Sequence, residues 1–131
     1  MDKAALSFDH LHLISEDPQS TAFWYVDKLD AKIVMSYEVL GSPQLIIAVG
    51  GTTIIIRGRR PKEQPSKKPG LQWGLDHFGF KVSGDFDGFC DELKKKGVTF
   101  TMDPVDFSPN LRIAFIQAPD GVSIELLQRE G

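Results

Sequence analysis

Two histidines and one glutamate are the residues of this chain best suited to bind a metal ion. His10 lies in residues 8–14, and His77, 67 positions later, lies in residues 75–82; in both stretches an aspartate precedes the histidine and apolar residues then alternate. Glu125 lies in a third apolar stretch, residues 122–127. Two neutral imidazoles and a carboxylate suit a divalent ion such as Fe, Mn, Zn or Ni and leave coordination positions open. We therefore expect the three side chains to meet at one cation, against the alternative that both histidines are structural.

His12 is the candidate catalytic residue. It lies two positions beyond His10, so the period of two in a strand places both side chains on the same face. The ordinary pKa of histidine, about 6.5, suits proton transfer near neutral pH. The alternative is a hydrogen-bonded histidine with a purely structural role in its strand.

The elements that would position these residues form two repeats of strand, helix and three strands. The first repeat is predicted as strand 8–15, a helix capped by Asp17 and ending at Leu29, and strands 31–37, 44–49 and 52–57. The second is predicted as strand 75–82, a helix from 86 to 96 capped by Asp85, and strands 98–102, 111–117 and 122–128. The order predicts an α+β protein of two tandem βαβββ modules that form a curved mixed sheet around a cleft.

Module one spans about residues 8–58 and module two about 75–128 of a single domain, residues 1–131. We expect each helix to bury one apolar face. In the first helix this face is Ala22, Phe23, Val26 and Leu29, and in the second helix it is Phe86, Phe89, Cys90 and Leu93. Cys90 on this face is predicted to be a core residue rather than a nucleophile.

Residues 59–74 interrupt the pattern with three prolines and five basic residues, which predicts a solvated linker. A lid or a rim that steers anions is the functional alternative. The formal net charge of -3 argues against nucleic-acid binding. A single cysteine permits no intramolecular disulfide, and we find neither a signal peptide nor a membrane-spanning run, so we expect a cytoplasmic protein without a membrane partner.

Several motifs together resemble the vicinal oxygen chelate superfamily, which includes glyoxalase I, methylmalonyl-CoA epimerase, fosfomycin-resistance enzymes, extradiol dioxygenases and bleomycin-resistance proteins. The motifs are the two Asp-His stretches, Trp24-Tyr25 on the first helix, and residues 112–126, which contain Pro119-Asp120-Gly121 and end in Ile124-Glu125-Leu126. The resemblance implies paired βαβββ modules around a metal cleft (the glyoxalase-like fold), a homodimer, and His10, His77 and Glu125 as metal ligands. It also implies a small-molecule substrate with two adjacent oxygens, on which the ion stabilises developing negative charge.

The chain departs from the family pattern at three places. The fourth ligand of glyoxalase I falls on Ile55, which cannot ligate, and Arg57 on the same face would repel a cation. The place of a catalytic base falls on Gln44, and the tyrosine of the dioxygenases is Phe115. We therefore predict a three-ligand site with Gln44, Arg57 and Phe115 as substrate-binding residues.

These features predict a metal-dependent enzyme, with a glyoxalase-like lyase or isomerase favoured. A three-ligand dioxygenase and a thiol transferase of the fosfomycin-resistance type are alternatives. A further alternative is a non-catalytic resistance protein that binds a drug or metabolite in an aromatic groove supplied by Trp24, Tyr25, Trp73, Phe107 and Phe115.

Overall fold

Two four-stranded mixed sheets, each with one helix, make up the protein in a computed structural model that describes residues 3–130. The chain divides into two units, Met1–Gln64 and Pro65–Gly131. The segment 59–64 therefore belongs to unit 1. In the described part of the chain, neither helix has the length and apolar character needed to cross a bilayer.

Unit 1 contains one helix and a sheet with strand order β1-β4-β3-β2. Its elements are β1 (Leu11–Ile14), α1 (Pro18–Leu29), β2 (Lys32–Val39), β3 (Ser42–Val49) and β4 (Thr52–Arg57). β1 runs parallel to β4, and the other pairs are antiparallel. One face of β3 and β4 is buried at Leu45, Ile47, Ile54 and Ile56, and α1 contacts both strands. The opposite face therefore carries the alternate residues, including His12, Gln44 and Arg57.

Unit 2 repeats this arrangement with strand order β5-β8-β7-β6. Its elements are β5 (Phe78–Lys81), α2 (Phe86–Lys95), β6 (Phe100–Ser108), β7 (Leu111–Gln117) and β8 (Ser123–Arg129). β5 runs parallel to β8, and β6–β7 and β7–β8 are antiparallel. Ala114, Ile116, Ile124 and Leu126 are buried, so Phe115 and Glu125 lie on the other face of the sheet.

The internal repeat is visible in the strand register. His12 pairs with Ile55 in unit 1, and Gly79 pairs with Glu125 in unit 2. Residue 79 follows residue 12 by 67 positions, and residue 125 follows residue 55 by 70 positions, as the sequence alignment of the halves requires. Consecutive positive φ angles at Gly50 and Gly51, and at Asp120 and Gly121, turn the chain between the last two strands of each unit. The predicted α+β fold of two tandem βαβββ modules is confirmed.

The helix caps were predicted correctly, and the helix faces were partly wrong. Asp17 Oδ1 accepts a hydrogen bond from Ser20 N, and Asp85 Oδ1 accepts one from Gly88 N. Phe23 is 63% exposed and Phe89 38% exposed, whereas Tyr25 is fully buried. In α1 an uninterrupted apolar run conceals the helical phase, so the face that packs on the sheet lies one position away from the predicted one; its buried residues are Pro18, Thr21, Ala22 and Tyr25. Cys90 is buried as predicted.

Candidate metal centre

His77 and Glu125 form a pair of metal-ligand side chains in unit 2. Nε2 of His77 lies 2.9 Å from Oε1 of Glu125, while Nδ1 of His77 donates to Oδ2 of Asp76 at 2.7 Å. The side chains of His77 and Glu125 are 30% and 19% exposed, so the pair is partly shielded from water. The hydrogen bond to Asp76 raises the pKa of His77, and the contact with Glu125 adds to this effect. The two carboxylates on either side therefore favour a positive charge at this imidazole.

The pairing of β5 with β8 places Glu125 close to His77. His77 lies immediately before β5, not inside it as predicted, and Glu125 lies in β8, where it pairs with Gly79. A Cβ at position 79 would lie 3.5 Å from Cβ of Glu125 and 3.2 Å from Cδ2 of Leu127. Only the contact with Leu127 would be tighter than ordinary van der Waals contact, so Gly79 avoids crowding against Leu127. Glu125 lies level with Gly79, which follows the histidine by two residues.

Phe115 packs against the candidate ligand His77. The two rings meet edge to face with centroids 4.9 Å apart and an interplanar angle of 82°. Phe115 also pairs with Glu125 across β7 and β8. This contact restrains the imidazole orientation, so the structure indicates a positioning role for Phe115; its predicted contact with substrate stays a prediction.

His10 in unit 1 repeats half of this arrangement. Nδ1 of His10 donates to Oδ2 of Asp9 at 2.7 Å, as His77 does to Asp76. Like His77, His10 lies just before the first strand of its unit rather than inside it. A carboxylate at Nδ1 fixes the tautomer whose Nε2 can bind a metal, and metal-bound histidines commonly have such a partner. Ile55 occupies the place in unit 1 that Glu125 occupies in unit 2, so no carboxylate joins His10 from β4.

His12 stands beside His10 with ring centroids 5.9 Å apart. The residue is exposed, yet partial desolvation of the ring lowers its pKa, and the positive charges of Arg57 and His10 lower it further. The neutral imidazole is therefore favoured. A neutral ring next to a candidate ligand can accept a proton from a bound molecule or donate a hydrogen bond to it.

Arg57 and Gln44 lie side by side on the face of the sheet that carries His12, and both are already engaged. Arg57 makes a bidentate ion pair with Glu63, with N–O distances of 2.6 and 3.0 Å, and its side chain is only 12% exposed. Gln44 donates to the hydroxyl of Tyr37 at 3.0 Å and accepts from Arg60 at 3.1 Å. Hydrogen bonds therefore join these four residues, Arg57, Glu63, Arg60 and Gln44, in one network. The predicted substrate contacts of Arg57 and Gln44 stay predictions.

Four polar residues that matter at these sites were not singled out from the sequence. Asp9 and Asp76 were visible as the repeated Asp-His dipeptide, whose role is now explained by their hydrogen bonds to Nδ1. Arg60 and Glu63 lie in the segment interpreted as a solvated linker, but both are part-buried against β3 and β4. Only their side-chain contacts show this, because a proline- and lysine-rich sequence carries no periodic signal.

The donor atoms in each unit suit a divalent ion. In unit 2 an imidazole nitrogen and a carboxylate oxygen converge, and in both units an aspartate holds Nδ1 of the histidine. Over residues 3–130, neither unit by itself gathers three His, Cys, Asp or Glu side chains as a metal site. The three-ligand set His10, His77 and Glu125 therefore remains a prediction.

Comparisons with known proteins identify a family from the sequence and a shared fold from solved structures. The family profile described as the Glyoxalase/Bleomycin resistance protein/Dioxygenase superfamily matches residues 7–126. A glyoxylase/bleomycin resistance protein/dioxygenase domain from Frankia sp. EAN1pec superposes with a TM-score of 0.78 at 22% identity, covering 97% of this chain and 100% of that one. A glyoxalase family protein from Bacillus cereus superposes with a TM-score of 0.79 at 16% identity, covering 98% and 97%. A search of curated proteins found no match.

Proposed function

Because the chain belongs to the glyoxalase/bleomycin resistance protein/dioxygenase superfamily, we propose that it is a divalent-metal-dependent enzyme acting on a small molecule with two adjacent oxygens. The observation that supports the proposal most directly is the contact of His77 Nε2 with Glu125 Oε1 at 2.9 Å, with Nδ1 held by Asp76. His77 and Glu125, with His10 as the third donor, are the proposed ligands. Two imidazoles and one carboxylate leave positions free for the oxygens of a substrate.

The other roles in the proposed reaction belong to side chains of this chain. A bound divalent ion supplies Lewis acidity toward the two substrate oxygens. Asp76 and Asp9 hold the imidazoles in one tautomer, and Phe115 keeps His77 from rotating. His12 is the proposed acid or base, because it is the ring beside His10 and its pKa is lowered, so that the neutral form can take a proton from a substrate carbon or oxygen.

A glyoxalase-like lyase or isomerase is the reaction class we propose first, since such chemistry needs a proton carrier beside the ion and His12 fits that role. Gln44 cannot replace it, because an amide is not a base and its oxygen already accepts from Arg60. A dioxygenase is the second candidate. It is favoured by Ile55 at the fourth-ligand position, since two histidines and one carboxylate are the ligand set of many non-haem iron oxygenases.

Elemental analysis of the purified protein, followed by calorimetric titration with Fe(II), Mn, Zn and Ni, tests the proposal. We expect one ion per chain, loss of binding in Glu125→Gln and His77→Asn, and retained binding in the matched histidine variant His12→Asn. With a substrate in hand, His12→Asn should lose turnover while it keeps the ion. If none of the four ions binds, the result would contradict the enzyme proposal and favour a non-catalytic ligand-binding protein. Light scattering tests the predicted homodimer separately.

A further inference from the structure

A basic pocket lies at one end of the sheet of unit 1. It is an open depression of about 450 Å³ between the turn that joins β2 to β3 and the segment that follows β4. This volume falls within the range of pockets that hold small molecules. The residues of the basic pocket used below are Leu40, Gly41, Arg59, Arg60, Lys62 and Glu63. None of them is a proposed metal ligand, so anion binding can be tested separately from metal binding, although Arg60 and Glu63 contact the predicted substrate-binding residues Gln44 and Arg57.

The side chains that line the basic pocket carry a net positive charge. Arg59, Arg60 and Lys62 are basic, and Glu63 is the acidic residue among them. Both carboxylate oxygens of Glu63 are bonded to Arg57, which lies outside the lining, and Oε1 also accepts from the backbone N–H of Arg60. The Arg57–Glu63 ion pair is therefore neutral in sum. Three cations remain along one concave surface of a chain whose formal net charge is -3. A concave surface with one sign of charge raises the local concentration of the opposite ion.

Arg60 is held in place before any ligand arrives. One terminal nitrogen of its guanidinium donates to Oε1 of Gln44 at 3.1 Å, and Gln44 is buried and in turn donates to Tyr37. The Nε of Arg60 is buried and has no hydrogen-bond acceptor among residues 3–130, so an anion in the pocket would be bound by the terminal nitrogens of this guanidinium. A guanidinium with a fixed orientation loses less entropy when it binds an oxyanion.

We infer that the basic pocket binds a small molecule through an oxyanion group, a carboxylate or a phosphate, with Arg60 as the principal ligand and Arg59 and Lys62 as additional cations. Arg60 supplies planar, directional hydrogen bonds to the anion. Arg59 and Lys62 supply charge that draws it in, and this part of the affinity is weakened by salt. Glu63 keeps Arg57 from competing for the same anion, because its carboxylate already satisfies that guanidinium.

Calorimetric titration of the full chain, stripped of metal with EDTA, with inorganic phosphate and with succinate tests this inference. We expect saturable binding of at least one anion, weakened about tenfold or more in Arg60→Gln. The double variant Arg59→Gln/Lys62→Gln should bind more weakly and show a smaller dependence on salt. Lys32→Gln is the matched control, because Lys32 is exposed on β2 of the same sheet but lies at the other end of that strand from Leu40 and Gly41.

The outcomes separate this inference from the metal proposal. Preference for phosphate or for succinate would support the pocket and identify which oxyanion it takes. Glu125→Gln should leave anion binding unchanged even where it removes metal binding. The inference is overturned if neither anion binds saturably, or if Lys32→Gln weakens binding as much as the pocket variants do. If Arg60→Gln unfolds, the double variant decides alone, since Arg59 and Lys62 are surface residues of the pocket.

Discussion

Replacing Asp76 with asparagine tests whether the Asp-His pairs prepare the histidines for metal binding. Asp76 accepts from Nδ1 of His77 at 2.7 Å, and this bond both orients the ring and increases its basicity. Asparagine keeps the size of the side chain but removes its charge, and its amide can present NH₂ to Nδ1 and so favour the wrong tautomer. We expect weaker metal binding with little change in fold.

The expected loss of metal affinity depends on how far each aspartate side chain is exposed to water. Losing a carboxylate partner of a metal-bound histidine typically costs 10- to 100-fold in affinity, on the order of 1.4 to 2.7 kcal/mol. Asp76 is 65% exposed, so water competes for it and we expect the lower end, about tenfold in Kd. Asp9 is 92% exposed, and we therefore expect Asp9→Asn to weaken binding only about two- to threefold.

The assay is calorimetric titration of each variant with the ion found by elemental analysis, with thermal unfolding to confirm the fold. Asp103→Asn is the matched control, because Asp103 is 75% exposed, lies in the same unit and forms an ion pair with Lys94 at 2.8 Å. It should bind metal as the wild type does. Equal affinity of wild type and Asp76→Asn would refute the reasoning, as would an equal loss in Asp103→Asn.

Three further predictions concern stability and reactivity. Burial raises the pKa of the Cys90 thiol to about 11, so at about pH 8 roughly a thousandth is thiolate, against about a quarter for an ordinary cysteine, and alkylation of the folded protein should be correspondingly slow compared with the denatured chain. Hydrogen bonds from Arg57 lower the pKa of Glu63 from 4.5 to about 2, so the pair contributes stability above pH 4.5 that is lost as the pH falls toward 2. Urea unfolding should find Glu63→Gln less stable than wild type at pH 7 and similar near pH 2; a constant difference would contradict the linkage. Gly51 has φ +80°, and a Cβ added there would meet nothing within 4 Å, so Gly51→Ala should destabilise by about 1 kcal/mol from backbone strain alone, and an unchanged thermal midpoint would disprove this.

Most of the secondary structure was accessible from the sequence because local signals were strong. Apolar runs next to turns predicted β4 and β7 with their observed bounds, Thr52–Arg57 and Leu111–Gln117, and the aspartate caps predicted the starts of both helices. The first strand of each unit begins three residues later than predicted, because the strand pairing starts only at Leu11 and Phe78. At the other end, Ser15 and Val82 still donate backbone hydrogen bonds to the neighbouring strand. Phe23 was placed on the wrong face since five adjacent apolar residues of α1 fit more than one helical phase.

The candidate site was only partly accessible. Glu125 could be selected because a carboxylate in an apolar strand requires a partner, and His77 provides it. The ion pair of Arg57 with Glu63 and the reach of Arg60 to Gln44 depend on how residues 59–64 fold back on the sheet, which no periodicity encodes. Long, flexible side chains in such a segment are placed by tertiary contacts, so the basic pocket becomes visible only in three dimensions.

The two units differ at one equivalent pair of residues on their paired first and last strands. In unit 1 this pair is His12 beside Ile55, and in unit 2 it is Gly79, which has no side chain, beside Glu125. A Cβ at residue 79 would meet Cβ of Glu125 at an ordinary contact distance of 3.5 Å and would press only on Cδ2 of Leu127, at 3.2 Å. A redesign that gives the first half its own acid at Ile55 places that carboxylate on the strand that pairs with His12. Such an exchange would add a further ligand beside the proposed proton carrier.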